Sequence, residues 1–258
     1  MRGLMSTFEI VLVVVLFSAG VLLCMEIGIL LGKRNANGPG KAFGVLSGAV
    51  FALMGLLIAF SFSGAATRFE AKRQLIAAEV NAIGTAYLRI DLLPLNRQEA
   101  MRESFRRYLD ARLAFYRKIA DPNASEAEMT RARALQQDIW AQGVVVCREV
   151  GPNPLNSLVM SSLNAMIDIS TTREIALQMH PPKVVLILLA ALPLICSLLA
   201  GYDAARERRS FLHMLCFAAV LTITVYIILD FEYPRAGMFI HLDETDQKLV
   251  DLRATMNN

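Results

Sequence analysis

The sequence predicts an all-α membrane protein: four transmembrane helices, with a helical extramembrane domain between the second and the third. Three observations predict it. Four apolar windows, 8–32, 42–66, 183–202 and 211–231, each reach the roughly 20 residues a helix needs to cross a hydrocarbon core. The chain of 258 residues is 55% hydrophobic and 19% charged, with a mean hydropathy of +0.45, too apolar for an ordinary soluble domain and too charged to be all membrane. Between the second and third windows, apolar residues recur at helical spacing and no stretch alternates for long as a strand does.

The first window does not read as a cleavable leader. Its apolar core is longer than the usual one, and Lys33-Arg34 stand where the small residues of a cleavage site belong. Gly28 with Gly32, and Gly44 with Gly48, have the spacing that lets helices approach closely in lipid, and packing within the subunit is preferred over an oligomer seam. Glu26 falls inside the first span and is expected to pair with Lys41 on the adjacent arm of the hairpin. The second window runs into the charged stretch 67–93 without a Gly/Pro break until Pro94, so one helix leaves the membrane and continues into the polar domain.

Beyond Pro94, Met101, Phe105, Tyr108, Leu109, Leu113 and Tyr116 form a stripe at helical spacing that Asp121-Pro122 ends. Ser125 with Glu128 reads as a capping box opening a helix to about Val146. Gly151-Pro152-Asn153-Pro154 breaks the chain again, and a helix over 155–179 leads to His180-Pro181-Pro182 at the membrane re-entry. The division that follows is a first transmembrane hairpin, 1–66; a helical extramembrane domain, 67–182; a second hairpin, 183–232; and an acidic C-terminal tail, 233–258. Both inter-span loops are short, so the termini and the middle domain share one side of the bilayer. Basic residues flank the spans on both sides (Lys33, Arg34, Lys41, Arg206, Arg208 and Arg209 against Arg2, Arg68, Lys72, Arg73, Arg173, Lys183 and Arg235), and six against seven leaves the side open by the positive-inside rule.

Several function classes lose support. A formal charge of +3, spread along helices, argues against a nucleic-acid partner. Cys24, Cys196 and Cys216 lie in apolar spans, Cys147 stands alone and no CxxC occurs, so the cysteines read as small apolar fillers. Gly38-Pro39-Gly40-Lys41 lacks a phosphate loop's earlier glycine and following Ser/Thr, those places being Asn35 and Ala42. His180, His213 and His241 have no metal-ligand spacing, and neither GxSxG nor HExxH occurs. No catalytic residue, cofactor or metal is expected, and the chain reads as no enzyme.

The long second helix carries more information. At 100° per residue, Arg68, Lys72 and Glu79 share a narrow sector and can form a ladder along the helix. Glu70, Gln74, Asn81 and Thr85 occupy a different sector. A helix with two polar sectors is not a simple surface helix. One sector faces solvent, while the other either lines a hydrated passage or pairs with neighbouring helices. Within the span, Ala52, Leu56 and Phe60 share one face at i, i+4 and i+8, where periodicity alone gives lipid or core packing.

The run from Glu79 to Pro94 (EVNAIGTAYLRIDLLP), preceded by Arg68-Phe69 and Lys72-Arg73, resembles the bestrophin-like family of bacterial membrane proteins. The likeness extends to the closing Val250-Asp251-Leu252-Arg253-Ala254. More distantly the chain is similar to bestrophins, pentameric ion channels with four spans per subunit and a large helical domain between the second and third. Phe60, Arg68-Phe69 and Arg73 hold the spacing of the bestrophin phenylalanine and the Arg-aromatic pair after it. Glu232-Tyr233-Pro234 with Gly237, Asp243 and Asp246 resembles the acidic stretch after the bestrophin fourth span, with one extra residue before the glycine that argues against a calcium clasp of the eukaryotic kind.

The resemblance implies a bestrophin-like fold and a homo-oligomer, a pentamer, in the bacterial inner membrane. It implies passive conduction of small ions through an axial pore lined by the second helix, in contact with membrane lipid. The pore constriction then falls on Ala52, Leu56 and Phe60, with small Ala52 leaving one level open. Gln74, Asn81 and Thr85 line a vestibule, and Arg68, Lys72, Arg73 and Glu79 form a charged collar. Glu232, Asp243 and Asp246 make an acidic cluster at the tail. The sign of the ion stays open. The alternative is a non-conducting scaffold or sensor whose helical domain binds a partner.

Overall fold

A computed structural model describes residues 7–34, 40–118, 121–205, 211–235 and 242–257; the side chains of 40–44, 122, 178 and 243–245 lie outside that description. The expected Glu26–Lys41 pair, the loop arginines Arg206 and Arg208, Gly237 and the side chain of Asp243 therefore fall outside it. Among the described residues every element is helical. The order is α1 (Thr7–Arg34), α2 (Gly40–Leu88), a 3-10 turn (Arg89–Leu92), α3 (Leu95–Arg117), α4 (Pro122–Val150), α5 (Pro154–Gln178), α6 (Lys183–Ala204), α7 (Phe211–Glu232) and α8 (Asp243–Thr255). Four of them, α1, α2, α6 and α7, are long and apolar enough to cross a membrane, and the protein is a multi-pass membrane protein.

The chain divides into two compact units. The membrane unit draws on Leu4–Phe69 and His180–Ile240. Its core is Val21, Met25 and Ile29 of α1, Leu189 and Cys196 of α6, and Leu221, Val225 and Ile228 of α7. Outward residues such as Leu16, Leu23, Leu53, Ile187 and Val220 are exposed, as lipid-facing positions are. The contact between α1 and α6 is backbone to backbone. A Cβ on Gly28 would fall on the Leu198 carbonyl, and one on Gly201 would fall on the Met25 carbonyl. Gly28 and Gly32 thus serve packing within the subunit, against α6, whereas Gly48 has nothing near its missing Cβ. Pro193 sits inside α6 without ending it, and the Ser197 hydroxyl, four residues on, donates to the Pro193 carbonyl at 2.6 Å.

The polar unit draws on Glu70–Met179 and His241–Asn258. Its core gathers Ile83 and Ala86 of α2, Phe105, Tyr108 and Leu109 of α3, Ile139 of α4, and Leu163 and Met166 of α5. Leu249 of α8 and Met256 just after it complete that core. The tail expected to be merely acidic ends in a helix, α8, held by Arg253 to Asp110 at 2.8 Å and by the Tyr87 hydroxyl donating to the Met256 carbonyl at 3.2 Å.

The start of α4 corrects the sequence reading. The helix begins at Pro122, and Asp121 caps it by accepting from the amides of Asn123 and Ala124. Proline at N1 loses no helical hydrogen bond, so Asp-Pro opens this helix rather than closing the previous one. Ser125, expected at the cap, is buried one turn inside, and Glu128 instead accepts from Lys118 at 2.6 Å. Asp121→Ala is expected to cost the polar unit about 1 kcal/mol, while Ser125→Ala leaves the cap intact; urea unfolding followed by the fluorescence of Trp140 separates the two.

Candidate functional site

Helix α2 is 49 residues long and two-faced throughout. At 100° per residue, Ala52, Leu56, Phe60, Ser63, Thr67, Glu70, Gln74, Ala78, Asn81, Thr85 and Leu88 fall within about an 80° sector, and every one is exposed. The opposite side carries Ser47, Met54, Ala65, Lys72, Ile76, Glu79, Ile83 and Ala86, all buried. The open face is apolar up to Phe60 and, apart from Ala78, polar from Ser63 to Thr85. Phe60 is 68% exposed and Leu56 53%, so neither is a core side chain of the subunit.

The buried side of α2 enters an ion-pair network in the polar unit. Glu79 is fully buried, and one of its oxygens accepts from Arg112 of α3 at 2.5 Å while the other accepts from Arg173 of α5. Arg112 also donates to the Tyr116 hydroxyl at 2.7 Å and to Glu174 at 3.4 Å. Arg173 reaches on to Asp246 of α8 at 2.8 Å and lies over the Tyr116 ring, 4.0 Å from its centroid. Arg133 closes the set on Glu174 at 2.8 Å. Three carboxylates thus face three guanidiniums. Such a network survives burial because nearly every charge has both a counter-ion and hydrogen bonds. Burial works against the Arg112 charge, but Tyr116, Glu79, Tyr108 and Glu174 around it leave its guanidinium above the ordinary arginine value. The nearby Tyr108 hydroxyl is pushed up chiefly by burial and accepts from Gln136 at 3.1 Å, so it stays protonated.

A second cluster lies in the membrane unit. Glu232, at the end of α7 and 2% exposed, accepts from Arg68 Nε of α2 at 2.9 Å. Its other oxygen stands 3.2 Å from His180 Nδ1, and the His180 ring stacks on Tyr233 with centroids 4.9 Å apart. Phe69 and Phe62 of α2 both meet Phe231 edge-on at 5.5 Å.

The expected residues thus separate. Ala52, Leu56, Phe60, Gln74, Asn81 and Thr85 share the open face. Arg73 is exposed and pairs with Glu70 at 3.1 Å. The ladder expected along α2 does not form between Arg68 and Glu79: each finds a tighter, hydrogen-bonded partner on another helix, Glu232 for the first and two arginines for the second. Lys72, in the same sector, is buried. Of the tail acids, Glu232 holds Arg68 and His180, and Asp246 holds Arg173. Among the described residues no three His, Cys, Asp or Glu side chains are placed to hold a metal ion. The sequence reading missed Arg112, Arg173 and His180. For the two arginines a signal existed, since Arg112 interrupts the apolar stripe between Tyr108 and Tyr116, and Arg173 lies on the helix face of Met166 and Ser170.

These features define a four-span, all-helical membrane protein whose second helix also supplies a face of a separate polar unit. The bestrophin-like domain matches residues 12–239, and the chain belongs to that family. A comparison with curated proteins finds no match. Among solved structures, a point variant of a bacterial bestrophin homologue from Klebsiella pneumoniae is similar with a TM-score of 0.69 and 13% identity, over 95% of this chain and 99% of that one. A second variant gives a TM-score of 0.67 at 12% identity, over 93% and 99%. The same homologue solved by zinc phasing gives 0.63 at 14%, over 93% and 98%. The likeness at such low identity is one of fold.

Proposed function

We propose that the protein is a subunit of a bestrophin-like ion channel: a homo-oligomer of five copies in the bacterial inner membrane, conducting small ions passively through an axial pore lined by α2. The observation that carries this reading is the open face of α2. A lipid-facing helix would be apolar along its length and a domain-surface helix polar; this face changes from one to the other at Ser63 while staying exposed on one sector. Placed around an axis, Leu56 and Phe60 form an apolar constriction that gates by dewetting and side-chain movement, with Ala52 leaving its level wider. Gln74, Asn81 and Thr85 line a hydrated vestibule beyond it. Arg68, Lys72, Arg73 and Glu79 set the charge behind the junction, with Glu232, Asp243 and Asp246 on the tail side.

Two measurements test this. Native mass spectrometry from detergent should give five times the subunit mass, and a monomer cannot enclose an axial pore with one such helix. In planar bilayers Phe60→Ala should raise single-channel conductance several-fold over wild type. Absence of current from both proteins under every ion gradient would leave a scaffold or sensor role in its place.

A further inference from the structure

We propose that the outer faces of α4 and α5 form a seam between polar units and that a second copy of this chain covers them, which rests on the reading of the protein as a homo-oligomer. Over 134–147 of α4 and 154–172 of α5 the only charged side chains are Asp138 and Asp168. Both are occupied within the subunit: Asp138 accepts from Ser104 at 3.0 Å and Gln142 at 2.8 Å, and Asp168 accepts from Asn164 at 2.7 Å. The exposed residues around them include Ala134, Trp140, Ala141 and Val145 of α4 and Ser161 and Ala165 of α5. A helix that faces water ordinarily carries charge along its outer side. α3 of the same unit does so, with Arg97, Glu99, Arg102, Glu103 and Arg106 all in ion pairs. Depletion of charge together with an exposed aromatic is the composition of an interface core. Trp140, the protein's one tryptophan, is 37% exposed on this face, and tryptophan is the kind of anchor that carries binding energy.

Size and position identify the occupant. The two outer faces lie side by side, because Gly143 of α4 lets Leu163 and Met160 of α5 come close. Together they measure roughly 25 Å by 20 Å, about 500 Å² a side, so the face and its counterpart bury about 1,000 Å², what a specific contact requires. α5 also borders the polar stretch of α2. Its Arg173 holds Glu79, and Arg89, in the turn that ends α2, donates to the Leu158 carbonyl at 2.7 Å. A vestibule lined by one helix from each copy is closed sideways only where the helices beside that lining meet their neighbours. The charge-poor face begins at α5, next to that lining, and continues onto α4. A ring contact is heterologous, so this face meets a different face of the next copy.

The test uses Trp140 as its own reporter in the purified full chain. Acrylamide should quench its fluorescence several-fold less in the intact wild-type protein than in Ala141→Arg, which sets a guanidinium on the face. Native mass spectrometry should find Ala141→Arg as single subunits in detergent where wild type stays assembled. Ala100→Arg, at an exposed position of α3, should match wild type in both readouts. Circular dichroism separates parting of subunits from unfolding, since the helix content of Ala141→Arg should equal that of wild type. If it does not, Ala134→Arg, two turns earlier on the same face, repeats the comparison. A wild type of several-subunit mass whose Trp140 is quenched as freely as in Ala141→Arg overturns the seam and leaves the oligomer standing. An Ala141→Arg protein that stays assembled wherever wild type does has the same consequence. A wild type of single-subunit mass removes the oligomer and the seam together.

Discussion

Glu79→Ala should lower the unfolding temperature of the purified protein by about 10 °C, the largest single loss expected among polar substitutions. The side chain is fully buried, and its removal leaves Arg112 and Arg173 facing each other with Asp246 and Glu174 as their remaining counter-ions. Breaking a buried ion pair by deleting one partner costs about 3–5 kcal/mol, most of it the uncompensated charge left behind. The protein has one tryptophan, Trp140, and it lies in the polar unit, so fluorescence reads unfolding of the unit where the damage is done. Arg97→Ala is the control. Its partner Glu149 is 46% exposed and Arg97 itself 42%, and surface pairs of this kind contribute under about 1 kcal/mol. The change Glu79→Leu, Arg112→Leu, Arg173→Met, made together with Asp246→Asn so that Asp246 is not left without its arginine, should recover much of the loss, because what hurts is the unpaired charge rather than the missing pair. A quadruple variant less stable than Glu79→Ala would refute that account.

Gly201→Val should abolish recovery of folded protein from the membrane, and Gly28→Val should do the same. Each new Cβ would land on a backbone atom of the facing helix, so α1 and α6 would have to separate; overpacking that backbone cannot relieve costs about 3 kcal/mol or more. Gly55→Ala provides the contrast, since nothing lies within 4 Å of its missing Cβ and alanine favours the helix by about 1 kcal/mol. Monodisperse yield on size exclusion, with thermal stability of whatever is recovered, distinguishes the three. Comparable yields from all would mean that α1 and α6 are not in backbone contact.

How far the sequence discloses this structure follows from what each residue does locally. Long apolar runs announce the spans because nothing else satisfies twenty uncharged residues in a row. The length of α2 shows for a similar reason, the lack of Gly or Pro punctuation between Ser63 and Pro94 apart from Gly64 and Gly84. Its two-faced character is far harder to read. The open face is apolar at Leu56 and Phe60, while the buried face carries Lys72 and Glu79, so hydrophobic periodicity cancels along the helix. Arg68 and Glu79 look like members of one ladder because spacing along a helix is visible and partners on other helices are not. The network partners arrive from 33 and 94 residues away, Arg112 and Arg173, each set in an apolar stripe whose meaning depends on what faces it. The same holds for α8: Leu249 and Met256 are too few to announce a core contribution, and only the cavity they fill makes them one.

That last helix bears on the order in which the molecule can be made. The polar unit includes Leu249 and Met256 in its core and Asp246 in its ion-pair network, yet its other residues end at Met179. Between them the ribosome must synthesise α6 and α7 and the bilayer must receive them. At roughly 5–20 residues per second, the stretch from Met179 to Leu249 takes on the order of several seconds. Throughout that interval Arg173 lacks one of its two carboxylates and the core lacks Leu249 and Met256. A polar unit built only through α5 therefore lacks part of its core, and the residues that complete it are made only after α6 and α7.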